Sequence, residues 1–207
     1  MICYTVITNG YDNLKDPTHV TKGWEYICFS DVKQKSKVWD CRITDKPNKE
    51  IKIMGHKEFG NVPALYVYGS ITITDNLDNF VQACRREWSL WKHPLRDCIF
   101  DEAEAVIKHK GFEREVVDEQ MKRYWDMPRN WGLGQTGVIL RDFSIDWVRE
   151  LSTMWYYEVT HGVPRDQLSL MWCAWAMHRH LHLVPNVIVC KYFKLHFHLN
   201  NLWDYNK

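Results

Sequence analysis

An α/β domain, with a mixed central sheet flanked by helices, is predicted for this 207-residue chain from three features. Short runs of β-branched and aromatic residues fill the first third, and apolar residues at close to a 3.6 period fill most of the remainder. Between them, Tyr66–Ile73 reads as a buried strand that breaks at the acidic turn Asp75-Asn76-Leu77-Asp78. A hydrophobic strand that delivers carboxylates at its carboxyl end is how open α/β sheets build ligand sites.

Taken in order, Ile2–Thr8 is a β-branched run closed by Asn9-Gly10, and Glu25–Ser30 is a second apolar run closed by Asp31. Val38–Ile43 reads as a third strand and Tyr66–Thr74 as the fourth, with polar, Gly- and Pro-containing connections between them. Helical spacing then takes over. Asn76–Trp91 carries Leu77, Phe80, Val81, Cys84, Trp88 and Trp91 on one face, and Pro94–Lys110, Glu113–Trp125 and Ile145–Val159 have similar amphipathic patterns. Gly137–Leu140 interrupts them as a strand. Pro164–Met177 is a further helix, opened by its proline, with Arg165-Asp166-Gln167 in the first turn. With neither repeat nor low-complexity segment, residues 1–207 read as a single domain with a strand-rich half (1–78) and a helix-rich half (79–207).

Lys and Arg number 27 against 26 acidic residues, a formal charge of +1, which gives no support to nucleic acid as the partner. The seven cysteines are scattered without a C-x-x-C pair, which favours reduced thiols. No segment approaches the ~20 apolar residues of a membrane span, and the amino terminus runs straight into a strand without a signal-peptide pattern. A soluble, cytoplasmic protein is expected, of bacterial, viral or excised-domain origin.

Candidate chemistry gathers at the strand ends. Thr8 and Tyr11 close the first strand, where a ring and flexible backbone suit a base, and Asp31 closes the second, where a carboxylate suits a ribose; ordinary strand-ending turns account for the same residues. Lys52, His56 and Lys57 in IKIMGHKEF offer cationic groups for a phosphate. Asp75 and Asp78 suit a hard divalent cation, and equally the cap and first turn of the next helix. Asp166, in a helix first turn, fits either a favourable helix-end charge or a general base. His178, His180 and His182 alternate, as do His196 and His198. Without H-E-x-x-H or C-x-x-C companions, a structural zinc is less expected than one late histidine completing the carboxylate site.

The ordered strings YTVITNGYD, YICFSD, KIMGHKEF, YGSITITDN, HPLRDCIFDEA, the segment Gln120–Pro128, GLGQTGVILR and RDQLSL span most of the chain. Together they resemble the GT-A-type glycosyltransferase-like domains, a family long known as a domain of unknown function and distantly similar to glycogenin-like enzymes. The resemblance implies a Rossmann-like GT-A domain that binds a nucleotide-diphosphate sugar and a divalent metal, Mn²⁺ or Mg²⁺. Residues 1–78 would then be the nucleotide and metal half, and 79–207 the sugar and acceptor half. It places Thr8, Tyr11 and Asp31 at the nucleoside, Lys52 and His56 near the diphosphate, and His93, Arg96 and Glu102 around the sugar. Gln135 and Gly137 fall on the strand behind the sugar, and Arg165, Asp166 and Gln167 on the R-D-Q element. One departure stands out: the family's metal aspartate position is Thr74 here, and Asp75 occupies a glycine position, so Asp75 with help from Asp78 is the expected ligand pair.

The expected reaction is sugar transfer from a UDP-sugar to a hydroxyl of a glycan or glycoconjugate, with the metal offsetting leaving-group charge. It inverts if Asp166 acts as base on the acceptor, and a retaining route is open if Asp166 sits behind the sugar without touching the acceptor. A nucleotide-sugar hydrolase or nucleotidyltransferase, and a non-catalytic carbohydrate-binding module on the same fold, are the alternatives.

Overall fold

The fold was analysed in a computed structural model that describes residues 1–84 and 87–196. The chain runs β1 (Ile2–Ile7), β2 (Glu25–Ser30), β3 (Asp40–Ile43), α1 (Asn48–Ile53), α2 (His56–Phe59), β4 (Pro63–Val67) and β5 (Ile71–Ile73). It continues through α3 (Leu77–Cys84), β6 (Trp88–Lys92), α4 (Ile99–Lys110), α5 (Arg114–Arg123), β7 (Gly134–Asp142) and α6 (Asp146–His161). The last described elements are α7 (Asp166–Ala176), β8 (His182–Val184), α8 (Asn186–Tyr192) and β9 (Phe193–Leu195).

Seven strands form one mixed sheet in the order β3-β2-β1-β4-β7-β6-β8. The first four are mutually parallel, β7 runs antiparallel to both its neighbours, and β8 is parallel to β6. The strands β1, β2 and β4 are almost continuously buried, as expected of parallel strands covered on both faces. Strand alternation divides their side chains between two cores. Cys3, Ile7, Leu65, Val67, Val138 and Leu140 face Phe80, Tyr192 and Phe193 on one side. Tyr4, Val6, Ala64, Tyr66 and Ile139 face Leu151 and Trp155 of α6 on the other. A third cluster joins α4, α5 and α7 through Ile99, Val117, Tyr124 and Leu168.

The α/β expectation holds, with three local corrections. Tyr66–Thr74 is two strands: β4 belongs to the central sheet, whereas β5 pairs antiparallel with β9 in a separate two-stranded sheet. The chain breaks at Tyr68-Gly69-Ser70, where the Ile71 N–H bonds the Tyr68 carbonyl at 3.0 Å. A Cβ on Gly69 would lie 2.5 Å from Ile7 Cδ1, so a side chain here would have to push Ile7 aside for the turn to press onto β1. Secondly, α3 ends at Cys84 and Trp88–Trp91 lies in β6, buried throughout; two tryptophans three apart in a buried strand mimic a helical face. Thirdly, the alternating histidines do not share a strand. His178 ends α7 at φ 54°, His180 stacks on Trp131, and only His182 lies in β8.

Candidate active site

At the carboxyl end of β4, five side chains from distant parts of the sequence meet. Lys52 Nζ, on α1, donates to Tyr68 Oη (3.2 Å), to Thr136 Oγ1 (3.0 Å) and to Asp166 Oδ2. Thr136, on β7, also donates to Asp166 Oδ2 at 3.0 Å, and Lys49 Nζ reaches Asp166 Oδ1 at 3.2 Å. Lys52 and Asp166 are each 1% exposed. Burial alone would raise the Asp166 pKa, but Lys49, Lys52 and Arg165 outweigh it and hold the carboxyl well below the usual range. For Lys52, burial lowers the ammonium pKa and Asp166 opposes it.

Local structure explains how these groups converge. Lys49 and Lys52 are three apart on α1 and so share its face. The carboxyl end of that helix is clamped by Arg141, which donates to the Ile53 carbonyl at 2.6 Å and also to the Lys52 carbonyl and Tyr4 Oη. Gly137 seats Tyr68: a Cβ there would lie 2.9 Å from the Tyr68 ring, and the Tyr68 N–H bonds the Gly137 carbonyl at 2.9 Å.

A second network adjoins the first through consecutive residues of the R-D-Q element. Glu102, 1% exposed, accepts from Arg96 Nε at 2.7 Å and from Arg165 Nη2 at 3.2 Å. His93 Nδ1 accepts the backbone N–H groups of Leu95 (3.3 Å) and Arg96 (3.1 Å). Its Nε2 lies 3.8 Å from Glu102 Oε2, so the neutral imidazole carries its proton on the side facing Glu102. Burial, with help from Arg96 and Arg165, pushes the His93 pKa down to about 4 against the opposing pull of Glu102.

The remaining expected site residues fall into separate groups. Thr8 is buried just beyond β1, and Tyr11 is 65% exposed with Tyr68, Arg165 and Asp166 as electrostatic neighbours, which puts its ring at the mouth of the cluster. Asp31 Oδ2 accepts the Asn9 N–H at 2.6 Å, strapping the turn in which Asn9 and Gly10 take positive φ. Gln167 is buried in the first turn of α7. Gln135 lines a cleft of about 550 Å³ with Thr74, Trp91, Pro94 and Lys194, and its Oε1 is buried without a partner. His56 stands apart from the lysines. Its ring packs on Phe143 at 5.4 Å, and its charged neighbours are Arg141, Lys57 and Arg149, which together with burial lower its pKa.

The acidic turn follows β5, outside the central sheet. Asp75 Oδ1 accepts the Asn76 N–H at 2.7 Å, and Asp78 Oδ1 accepts the Trp24 indole N–H at 2.8 Å. His196 bonds Thr72 Oγ1 at 2.9 Å; His198 lies outside the described residues. Among the described residues no group of three or more His, Cys, Asp or Glu is placed to hold a metal ion. The turn that does end the central strand, Tyr68-Gly69-Ser70, itself carries hydroxyls, and the one carboxylate beside it is that of the buried Asp12, whose Cβ would lie 3.2 Å from a Cβ on Gly69. Among the described residues the donor set therefore falls short of a Mn²⁺ or Mg²⁺ site held by protein ligands alone.

Sequence reading missed Lys49, Tyr68 and Thr136. Lys49 gains meaning only from the helical form of α1, Tyr68 was hidden inside an over-long strand, and Thr136 lay between Gln135 and Gly137, the two residues of that strand assigned to the sugar.

Among solved structures, the apo structure of the WbbM bifunctional glycosyltransferase superposes with a TM-score of 0.50 at 7% identity, over 88% of this chain and 38% of that one. That likeness is one of fold, and this chain spans well under half of the larger protein. No curated protein matches the sequence. The family described as TOD1/MUCI70, glycosyltransferase-like domain, matches residues 70–198, a stretch that includes β5 and all the elements from α3 to β9, together with Glu102, Thr136, Arg165 and Asp166 of the site. By that match over more than half its length, the chain belongs to the TOD1/MUCI70 glycosyltransferase-like domain family.

Proposed function

We propose that this domain transfers a sugar from a nucleotide-diphosphate sugar, UDP-sugars being the first choice, to a hydroxyl of a glycan or glycoconjugate. The observation that carries the reading is the Lys49–Lys52–Asp166 cluster at the carboxyl ends of β1 and β4, where doubly wound sheets take nucleotides. In the reaction, the bond between the anomeric carbon and the diphosphate oxygen breaks and its electron pair leaves with the diphosphate. The acceptor oxygen forms the new bond and gives up its proton to the departing diphosphate. Fixed cations beside the leaving group lower the barrier because they are oriented before charge develops.

Asp166 is better suited to organising this site than to taking the acceptor proton. Its carboxylate already receives Lys49, Lys52 and Thr136, and it would have to leave both lysines before it could act as a base. We therefore assign it a positioning role, and inversion through Asp166 is not required. Tyr11 and Thr8 stand where a base could stack, and the cleft beside Gln135 is open to a sugar or acceptor.

The test is release of UDP from a panel of UDP-sugars, with and without glycan acceptors, for the native chain and for Lys52→Met. Acceptor-dependent release, reduced roughly 10²-fold or more in Lys52→Met, is expected. Equal release without acceptor would establish the hydrolase alternative. Binding of glycans without any nucleotide-sugar turnover would establish the carbohydrate-binding module.

A further inference from the structure

Counting charges around the site gives an imbalance. Among the described residues, Lys49, Lys52, Arg96 and Arg165 are tied to two carboxylates, Asp166 and Glu102. His93, pushed down to about 4, adds no positive charge at neutral pH. Asp12, buried beside Gly69 and near Tyr11, and Lys110, near Arg165, add one charge of each sign and leave the difference unchanged. The network thus holds two more positive than negative side chains in a partly desolvated place, where uncompensated charge is costly.

The cations differ in what they have left to give. All three hydrogens of the Lys52 ammonium are used, on Tyr68, Thr136 and Asp166. Lys49, Arg96 and Arg165 have side chains 34%, 28% and 30% exposed. Lys49 makes one ion pair, to Asp166, which leaves it further N–H groups. Arg165 bonds Glu102 through one terminal nitrogen, and its Nε is buried without a partner. Three half-open cations therefore stand in front of a saturated buried pair.

We infer that Lys49, Arg96 and Arg165 form a cradle that takes the donor diphosphate directly, so that donor binding needs no divalent metal. The inference rests on the donor reading above and adds how the charge of that donor is met. Each phosphate of a diphosphodiester carries one negative charge, which matches the surplus on the protein. Guanidinium groups also suit phosphate oxygens through paired N–H donors, and the lysine adds a mobile point charge. A divalent cation placed among these same side chains would meet repulsion instead. The Tyr68-Gly69-Ser70 turn itself carries no carboxylate, the one beside it being Asp12, and the cationic cradle stands in front of it.

Calorimetric titration of UDP into the full chain, in EDTA and then in Mn²⁺, tests this, with uridine as the probe lacking phosphate. Lys49→Gln and Arg165→Gln are the variants, both at partly exposed positions, with their melting curves compared to the native chain. The expected result is a UDP Kd that changes less than about threefold between EDTA and Mn²⁺, rises about tenfold in each variant, and rises steeply with salt. Uridine binding should be unchanged by either substitution. UDP binding that appears only with Mn²⁺, or that ignores both substitutions, would overturn the cradle while leaving the donor reading intact. Absence of binding by UDP and by other nucleoside diphosphates under both conditions would overturn the donor reading and the cradle with it.

Discussion

His93 illustrates how surroundings decide what a histidine does. The string HPLR suggested a sugar contact, yet both ring nitrogens serve the protein: Nδ1 caps the Leu95 and Arg96 N–H groups, and Nε2 faces Glu102. Its pKa, about 4 in the fold, lies below the ordinary value near 6.5. Between those values the unfolded chain binds a proton that the folded chain refuses, so this residue's contribution to stability is lost as pH falls from about 6.5 to about 4. The loss amounts to roughly 3 kcal/mol. Asp166, depressed below its usual range, extends the same trend to lower pH. Urea unfolding at pH 7 and at pH 4.5 should therefore show a smaller acid loss in His93→Asn, which keeps an acceptor near the Nδ1 position. An identical loss in both proteins would exclude His93 as a source of the acid sensitivity. The sequence carried this residue's importance but not its role, because a neutral buried imidazole and a ligand-binding one share the same letter.

The short helix α1 was invisible in the sequence for a physical reason. Six residues, NKEIKI, span fewer than two turns, too few for a periodic signal or for stability on their own. Its existence depends on partners far along the chain: Ile51 and Ile53 are buried with Tyr4 and Phe143, and Arg141 closes its carboxyl end. A cation among helix-end carbonyls is favourable, and this guanidinium is fully buried beside the rings of Phe143 and Trp88. By contrast, β1, β2 and β4 were legible because buried parallel strands are continuous apolar runs closed by turn residues. Where two such segments abut, as at β4 and β5, the period gave no sign of the break, because β5 finds its partner in β9, far along the chain. Because α1 carries Lys49 and Lys52, releasing its end should act on the site from a distance. Arg141→Leu is expected to cost about 2–4 kcal/mol in urea unfolding. It should also weaken UDP binding without altering uridine binding, whereas a purely structural residue would leave that ratio unchanged.

The central sheet takes β1 to β4 from the first part of the chain and β6 to β8 from the second, so the strand-rich and helix-rich halves share one core. The candidate site sits on their junction: Lys52 and Asp166 are 114 positions apart, and Thr136 joins them from β7. The buried ion pair therefore reports on how α1 is held relative to the first turn of α7 as well as on ligand chemistry. Removing one member of such a pair strands the other charge in a poor solvent, at a cost of about 3–5 kcal/mol. Replacing both with apolar residues removes that penalty along with the attraction. Lys52→Met and Asp166→Leu, alone and combined, should therefore be strongly non-additive in urea unfolding, with the double variant less destabilised than the sum by about 1–3 kcal/mol. Lys49, which also pairs with Asp166, limits the recovery, because it keeps its charge in the double variant and loses its partner. Additive single effects would mean that the two groups are solvated independently, and the site would then owe its geometry to the sheet alone. UDP binding should fail in all three variants whatever their stability, since restoring the fold by apolar packing does not restore the anchor that holds the cradle.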